Sequence, residues 1–417
     1  MIYPQLHCGF YYYNNKIYVN RQNVLDDMLY SIEMREKEYN IKPDVSINKR
    51  NDKAGISYYF NEPVFRMIDW TIEPTQSLKE LYVERAKQLR DKYDYLILSY
   101  SGGADSHEIL YTFLENDLFI DEIQVVHFEK MLNYFPRDVL IHDPAVSQLL
   151  EYEFVVLPQL KIVKEKSPNT KITLMDASDF TYEDVGKKKF EFMGMGKYQI
   201  NSTYLAQTTP YVRNFFQQHN NNKYMVRKNN AGFIRGIEKP QLNIVDNQLL
   251  FRFNDISMNS VKLMQQKDIE EMYTIENYFW TPDCPLIPIK QSHVIKKKLE
   301  SDREFYANFM VNQERIAANQ KVKKRQHDNA QNIYRKYDPL LYYYWNKNMF
   351  SAPKSNTEVP EFKLLGLVEA DHSGMEALNE QNEYYFKRYA KIPEQRWINK
   401  PIFTEPYNLG DLNVTWY

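Results

Sequence analysis

An α/β fold is what this sequence predicts, with a Rossmann-like parallel sheet between a small N-terminal β element and a mostly helical C-terminal region. Three observations predict it. An apolar run from Tyr95 to Tyr100 leads through a Gly-Gly turn into an amphipathic segment. A second apolar run, Ile123 to Phe128, follows about one βαβ unit later. A third, "KITLMDAS", ends near Asp176. Strands that alternate with helices in this way read as neighbours in a parallel sheet. The expected division is 1–75 for the β-containing cap, 76–260 for the α/β domain and 261–417 for the helical region.

Near the N-terminus, "FYYYNNKIYVNR" reads as two short strands about an Asn14-Asn15 turn, because adjacent asparagines tolerate positive φ. Between Ser77 and Tyr93, Ser77 and Glu80 form a capping box ahead of Leu78, Leu81, Tyr82 and Leu89, which predicts a helix. The helix after the Gly-Gly turn is expected over about Ser106 to Asn116, and another is expected to start at Asp143-Pro144. Further on, Gly236 reads as a turn and Asp246-Asn247 as the tip of a hairpin. From about Lys290 to Tyr337 the pattern is helical and rich in Lys and Arg; Ala352 to Lys363 reads as a linker or exposed loop. No internal repeat is present.

Composition narrows the function classes. Charged residues are 26% and hydrophobic ones 43%, which are globular values, and the net charge of −2 provides no global field for nucleic acid or an anionic membrane. No apolar run reaches the roughly 18 residues of a spanning helix, and no basic stretch followed by an apolar core opens the chain, so a cytoplasmic protein is expected. The two cysteines, Cys8 and Cys284, form neither a C-x-x-C pair nor a multi-cysteine zinc site. The 34 tyrosines, with few glycines and many Asn, Lys and Ile, fit an AT-rich coding sequence.

The loop "SGGADS", Ser101 to Ser106, carries the most specific chemistry. A loop at the carboxyl end of a parallel strand that enters a helix directly presents unpaired N–H groups and the positive end of the helix dipole. Gly102 and Gly103 let an anion approach the backbone, and Ser101 and Ser106 add hydroxyls. A branched side chain at Gly103 would enter that cradle and strain any positive-φ backbone there. An ordinary strand-to-helix turn that merely needs glycine is the alternative.

In full, "SGGADS" resembles the SGGxDS signature of the PP-loop ATP pyrophosphatases, a HUP-type superfamily that includes asparagine synthetase, GMP synthetase, argininosuccinate synthetase and, more distantly, PAPS reductases. No Walker A loop is present, since no G-K-[ST] follows. The resemblance covers about Tyr93 to Phe128 and extends toward Pro240. It implies an enzyme that cleaves ATP to AMP and pyrophosphate and passes AMP to a carboxyl, amide or carbonyl oxygen of an acceptor, a small molecule or a nucleobase. Ser101, Gly102, Gly103, Ala104 and Ser106 would then grip the pyrophosphate, and Asp105 would help hold Mg²⁺ between phosphate oxygens. The alternative role of Asp105 is a helix cap. The resemblance also places the nucleoside near the end of the second strand, making His127 and Phe128 adenosine contacts, with plain core as the alternative for Phe128.

Weaker signals surround this loop. Asp176 and Asp179 fall at the end of the third strand, where a second metal contact or a cap would sit. In "RGIEKP", Arg235 and Lys239 flank Gly236 in the region where related synthetases place a lysine that neutralises the leaving pyrophosphate. The acidic ADE-type motif of those enzymes is absent there, so Lys239 maps by position, against the alternative of a solvated surface charge. Trp280, Asp283, Cys284, Lys290, Gln291 and His293 fall in one stretch that would line an acceptor site, or serve only as turns and packing. The run Lys321 to His327 reads as a contact for nucleic-acid phosphates or as a solvated helix face, and His372 lacks a second histidine at zinc-ligand spacing. Cysteine content argues against the deazaguanine synthases and thiolating tRNA enzymes of the superfamily, and Ile2 after Met1 argues against a glutaminase half. Chains of this make-up resemble the asparagine-synthase-like and PAPS-reductase-like proteins of large tailed bacteriophages, which would place this one in a host cytoplasm. Two further readings stay open: a PAPS-reductase-like or sulfur-transfer enzyme that uses Cys284, and a non-catalytic nucleotide-binding module of a larger, virion-type assembly.

Overall fold

The computed structural model describes residues 9–18, 21–39, 55–127, 129, 137, 150–176, 230–236, 238–255, 274–318, 333–345, 387–392 and 402–414. The helix expected at Asp143-Pro144, the linker at 352–363, the run 321–327, Phe128, Asp179 and His372 lie outside them, as does the side chain of Asp176.

Five strands form an all-parallel sheet consistent with a Rossmann-like core. In chain order they are β4 (Tyr95–Ser99), β5 (Glu122–His127), β6 (Lys171–Asp176), β7 (Ala231–Arg235) and β10 (Thr274–Asn277). Across the sheet they run β6-β5-β4-β7-β10, so the chain builds outward on one side of β4, then returns to build on the other. Strand β4 is Leu96, Ile97 and Leu98 at its centre, all fully buried, as a parallel strand covered on both faces requires. The three strands predicted from apolar runs are present within a residue at their ends. Strands β7 and β10 are not foreseen: "AGFIR" is short and begins on small residues, and "TIEN" has almost no apolar content. A boundary at 260 falls inside this sheet, whose edge strand β10 lies beyond it.

Helix α3 (Leu78–Lys92) precedes β4 and starts as expected: Ser77 Oγ accepts the Glu80 N–H while the Glu80 carboxylate accepts the Ser77 N–H. Helix α4 (Ala104–Leu114) links β4 to β5 and begins two residues before the expected Ser106. A π-helical turn, Tyr152–Val156, runs into α5 (Leu157–Lys166) ahead of β6.

The N-terminal element is a three-stranded antiparallel sheet, β2-β1-β3, from β1 (Phe10–Tyr13), β2 (Lys16–Tyr18) and β3 (Ser57–Tyr59). Its Asn14-Asn15 turn has φ of 48° and 61°, the left-handed geometry that a two-residue hairpin needs. The same holds at Asp246-Asn247, between β8 (Gln241–Val245) and β9 (Gln248–Arg252). That hairpin is joined by β11 (Tyr407–Asp411), so the C-terminal region supplies a strand as well as helices. Helix α1 (Arg21–Tyr39) was not expected; its Arg21 guanidinium is fully buried on Asp255, with Nε 2.9 Å from Oδ2. The short α2 (Glu62–Phe65) helps to cover β9 and β11: Phe65, Trp70, Phe251, Phe253, Trp280 and Tyr407 pack ring on ring at 4.5–6.4 Å.

The helical pattern after 285 resolves into α6 (Leu286–Ser301), α7 (Arg303–Ala318) and α8 (Ile333–Leu341). Asp302 breaks the first two apart and caps the second through the Phe305 N–H. No described helix is long and apolar enough to cross a membrane. One continuous core runs from Tyr11 through the sheet to Leu412.

Candidate functional site

The order of the parallel sheet fixes where a ligand can enter. Strands β5 and β7 flank β4, and the chain leaves β4 toward one side and β7 toward the other, the kind of switch point at whose carboxyl ends open α/β sheets place ligands. The loop 101–106 occupies that place.

Its internal bonding explains its sequence. Ser106 Oγ accepts the Ser101 N–H at 3.2 Å, donates to the Gly103 carbonyl at 3.1 Å and lies 3.2 Å from Ser101 Oγ. Ser101 Oγ also accepts the Gly103 N–H at 3.3 Å. The two serines thus brace the turn from inside, a role beyond the hydroxyl donation expected of them. Gly102 has φ of +80°, and a Cβ there would lie 2.8 Å from Val156 Cγ2, so both conformation and space demand glycine. The strain expected at Gly103 does not arise: its φ is −74°, and among the described residues a Cβ would meet only Ser101 Oγ, at 3.4 Å. Gly103 is the N-cap of α4 and no side chain caps the helix, so the first turn points its N–H groups out of the loop. Ala104 is buried beneath it.

Asp105 sits in that first turn, but its carboxylate is not used as a cap. One oxygen accepts the Tyr342 hydroxyl and the other lies 3.4 Å from Lys239 Nζ. Lys239 reaches this point because Gly236 lets the turn after β7 press against α4. A Cβ on Gly236 would lie 3.0 Å from Asp105 Cβ and 3.2 Å from the Ser106 nitrogen. Sequence position alone suggested Lys239, the fifth residue of "RGIEKP"; the structure brings it to the loop, while Arg235 closes β7.

The Lys239 ammonium is not a solvated surface charge, its side chain being 13% exposed. It pairs with Asp338 at 2.7 Å and lies 5.6 Å from the Tyr342 ring centre. Burial works against its charge, yet the Asp105 and Asp338 carboxylates outweigh burial and raise its pKa above the ordinary lysine value. Asp338 and Tyr342 are one turn apart at the end of α8, and sequence reasoning missed both. The signal was the i, i+4 pair of polar-tipped residues in the apolar run "DPLLYYYW".

Glu108, one turn beyond Asp105, was missed too. It is fully buried, its Oε2 accepts the Tyr344 N–H at 2.8 Å, and its Oε1 has no hydrogen-bond partner among the described residues. Burial pushes its carboxyl up to about 7, against the pull of the Tyr344 and Tyr343 N–H groups. Beside it, His107 is buried between Tyr111 and Trp345, with ring centroids 4.6 and 5.6 Å away, and burial lowers it to about 4.

His127 ends β5 with its ring stacked on Tyr152, at 4.2 Å and 7°. One face of the expected adenosine contact is therefore covered by the π-helical turn that also abuts Gly102. Asp176 ends β6 directly opposite His127, two strands from β4, or about 10 Å at the strand spacing of a sheet.

The stretch 280–293 is engaged in packing. Asp283 lies 3.3 Å from Arg85, Gln291 Nε2 donates to the Tyr82 hydroxyl at 2.9 Å, and His293 Nε2 lies 2.9 Å from the Trp70 carbonyl. Lys290 is held by Glu73 at 2.7 Å, and Trp280 is fully buried. Cys284 is buried, and desolvation pushes its thiol up to about 12. Among the described residues no group of three or more His, Cys, Asp and Glu side chains gathers to hold a metal.

A scan against protein-family models finds no match, and neither does a search of the curated proteins.

Proposed function

We propose that the chain is an adenylating enzyme of the PP-loop ATP pyrophosphatase type, with the HUP-type core that this implies. The carrying observation is the meeting of Lys239 and Asp105 at the mouth of the braced loop 101–106, at the carboxyl ends of β4 and β7. A polyphosphate bound there accepts hydrogen bonds from the N–H groups heading α4, in the field of the helix dipole. An acceptor oxygen, from a small molecule or a nucleobase, then attacks the α-phosphorus of ATP. The bond from that phosphorus to the α–β bridging oxygen breaks, and pyrophosphate leaves carrying the new negative charge. Lys239 is the cation for that charge, since stabilisation of developing charge is the largest contribution a protein makes to such transfers.

The local charges also fit Mg²⁺. Asp105 is a hard carboxylate beside the space for the phosphates and would hold the ion together with substrate oxygens and water. The ion supplies neutralisation between carboxylate and phosphate. Adenosine would run from the loop toward the end of β5, where the buried His127–Tyr152 stack closes that side of the site.

The sulfur-handling alternative draws no support from Cys284, whose buried thiol stays protonated at neutral pH. The non-catalytic alternative is separated by turnover. Incubation with α-labelled ATP, followed by chromatography, tests the reading: AMP and pyrophosphate are expected, and ADP as sole product would overturn it.

A further inference from the structure

We propose that the end of α8 is an autoinhibitory latch on this site: Asp338 and Tyr342 hold Lys239 and Asp105 until a polyphosphate draws them away. The inference rests on the reading of loop 101–106 as a phosphate cradle.

Two halves of the site are in different states. The anchoring half is open among the described residues: Ser101 is exposed, and of their atoms a Cβ built on Gly103 would meet only Ser101 Oγ, at 3.4 Å. The charged half is closed. Lys239 Nζ is 2.7 Å from Asp338 and 3.4 Å from Asp105, and both oxygens of Asp105 face a donor, Lys239 or the Tyr342 hydroxyl. A polyphosphate that enters the loop therefore meets a lysine whose charge is already matched by two carboxylates. To use that charge it must compete with Asp338. To bring a divalent cation to Asp105 it must displace Tyr342 or Lys239.

The latch residues belong to an element that docks independently of them. The Leu341 carbonyl accepts the Tyr82 hydroxyl at 3.0 Å, and the Tyr344 N–H is bound by Glu108. Trp345 packs edge-on against His107. These three contacts grip α3 and the flank of α4, away from the charged pair. Release thus requires only that two side chains let go, with the helix end still docked.

The test is titration calorimetry of the full chain with pyrophosphate and Mg²⁺, for the parent, Asp338→Asn, Lys239→Met and the double variant. The amide keeps the shape of Asp338 and removes its charge. Asp338→Asn is expected to bind pyrophosphate about tenfold more tightly than the parent, in line with the loss of one charge-assisted contact. In the Lys239→Met background the same change is expected to give no gain, because there is no ammonium to free. If Asp338→Asn binds as the parent does or more weakly, the latch is refuted and the cradle stands. If the gain persists without Lys239, the latch is refuted as well. If neither the parent nor Asp338→Asn binds pyrophosphate, the cradle reading fails and takes the latch with it. Asp338→Ser, which also removes the charge, carries the same expectations should the amide variant not fold.

Discussion

Gly102 and Gly103 are neighbours with opposite duties, and separating them tests the account of the loop. Gly102→Ala places a Cβ on a residue at φ +80°, 2.8 Å from Val156 Cγ2. The backbone term costs about 1–2 kcal/mol and the overpacking about 1–3 kcal/mol. The loss, about 2–5 kcal/mol together, is a large part of the roughly 5–15 kcal/mol that holds a typical domain. Gly103→Ala has φ of −74° and an open position, so it costs about 1 kcal/mol or less, the value of changing an N-cap. Its methyl group, however, stands where the phosphate is proposed to approach. Urea unfolding monitored by circular dichroism, beside equilibrium binding of ATP with Mg²⁺, reads both quantities. Gly102→Ala should lower the unfolding midpoint strongly; Gly103→Ala should nearly preserve it and lose nucleotide affinity. Equal stabilities of the two variants, or full binding by Gly103→Ala, would refute the reasoning.

Three further outcomes follow from the same geometry. Lys239→Met should lower single-turnover AMP formation by about 10²-fold or more while ATP affinity changes far less, because the ammonium acts most strongly as charge develops on the leaving pyrophosphate. Equal turnover would make Lys239 a structural ion pair. Glu108→Gln should gain on the parent as pH rises from about 4.5 to about 7, since the folded state raises this carboxyl and so binds a proton that the unfolded chain has released; the gain, on the order of 1–3 kcal/mol, levels off above that window. Urea melts at pH 5 and pH 8 measure it, and a pH-independent difference would refute the assignment. Cys284, raised to about 12 and buried, should resist iodoacetamide at pH 8 in the folded protein and react on unfolding; rapid labelling of native protein would reopen the thiol chemistry.

The parts of the fold that were legible share one property: their signal is local. The capping box at Ser77, the asparagine turns at 14–15 and 246–247, and the run Tyr95–Ser99 each fix their structure through residues within a few positions. Strands β7 and β10 are defined instead by partners far along the chain. Tyr93 packs where a Gly232 side chain would be, and the β10 residue Glu276 is held by Arg85 and Lys92 of α3. Nothing inside "TIEN" announces such neighbours. Helix α1 was hidden for a related reason: it carries little amphipathic pattern and is anchored by a buried Arg21–Asp255 pair that spans most of the chain.

The site divides the same way. Loop 101–106 was readable because its residues bond to one another, so the motif is also the structure. Lys239 was readable only by its position, where related synthetases place a lysine, and the reason it reaches Asp105 is the bare Cα of Gly236 against α4, a contact between segments more than 100 residues apart. Asp338 and Tyr342 come from farther still. Two carboxylates and one ammonium meet where a polyanion is proposed to bind, and that surplus of negative charge explains why the loop alone does not make a complete site. Glycines and a helix end can hold an anion, but lowering the barrier to its cleavage needs a positive charge released at the right moment. That charge is present in Lys239, and the Asp338 that pairs with it comes from a part of the chain that no reading of the loop could include.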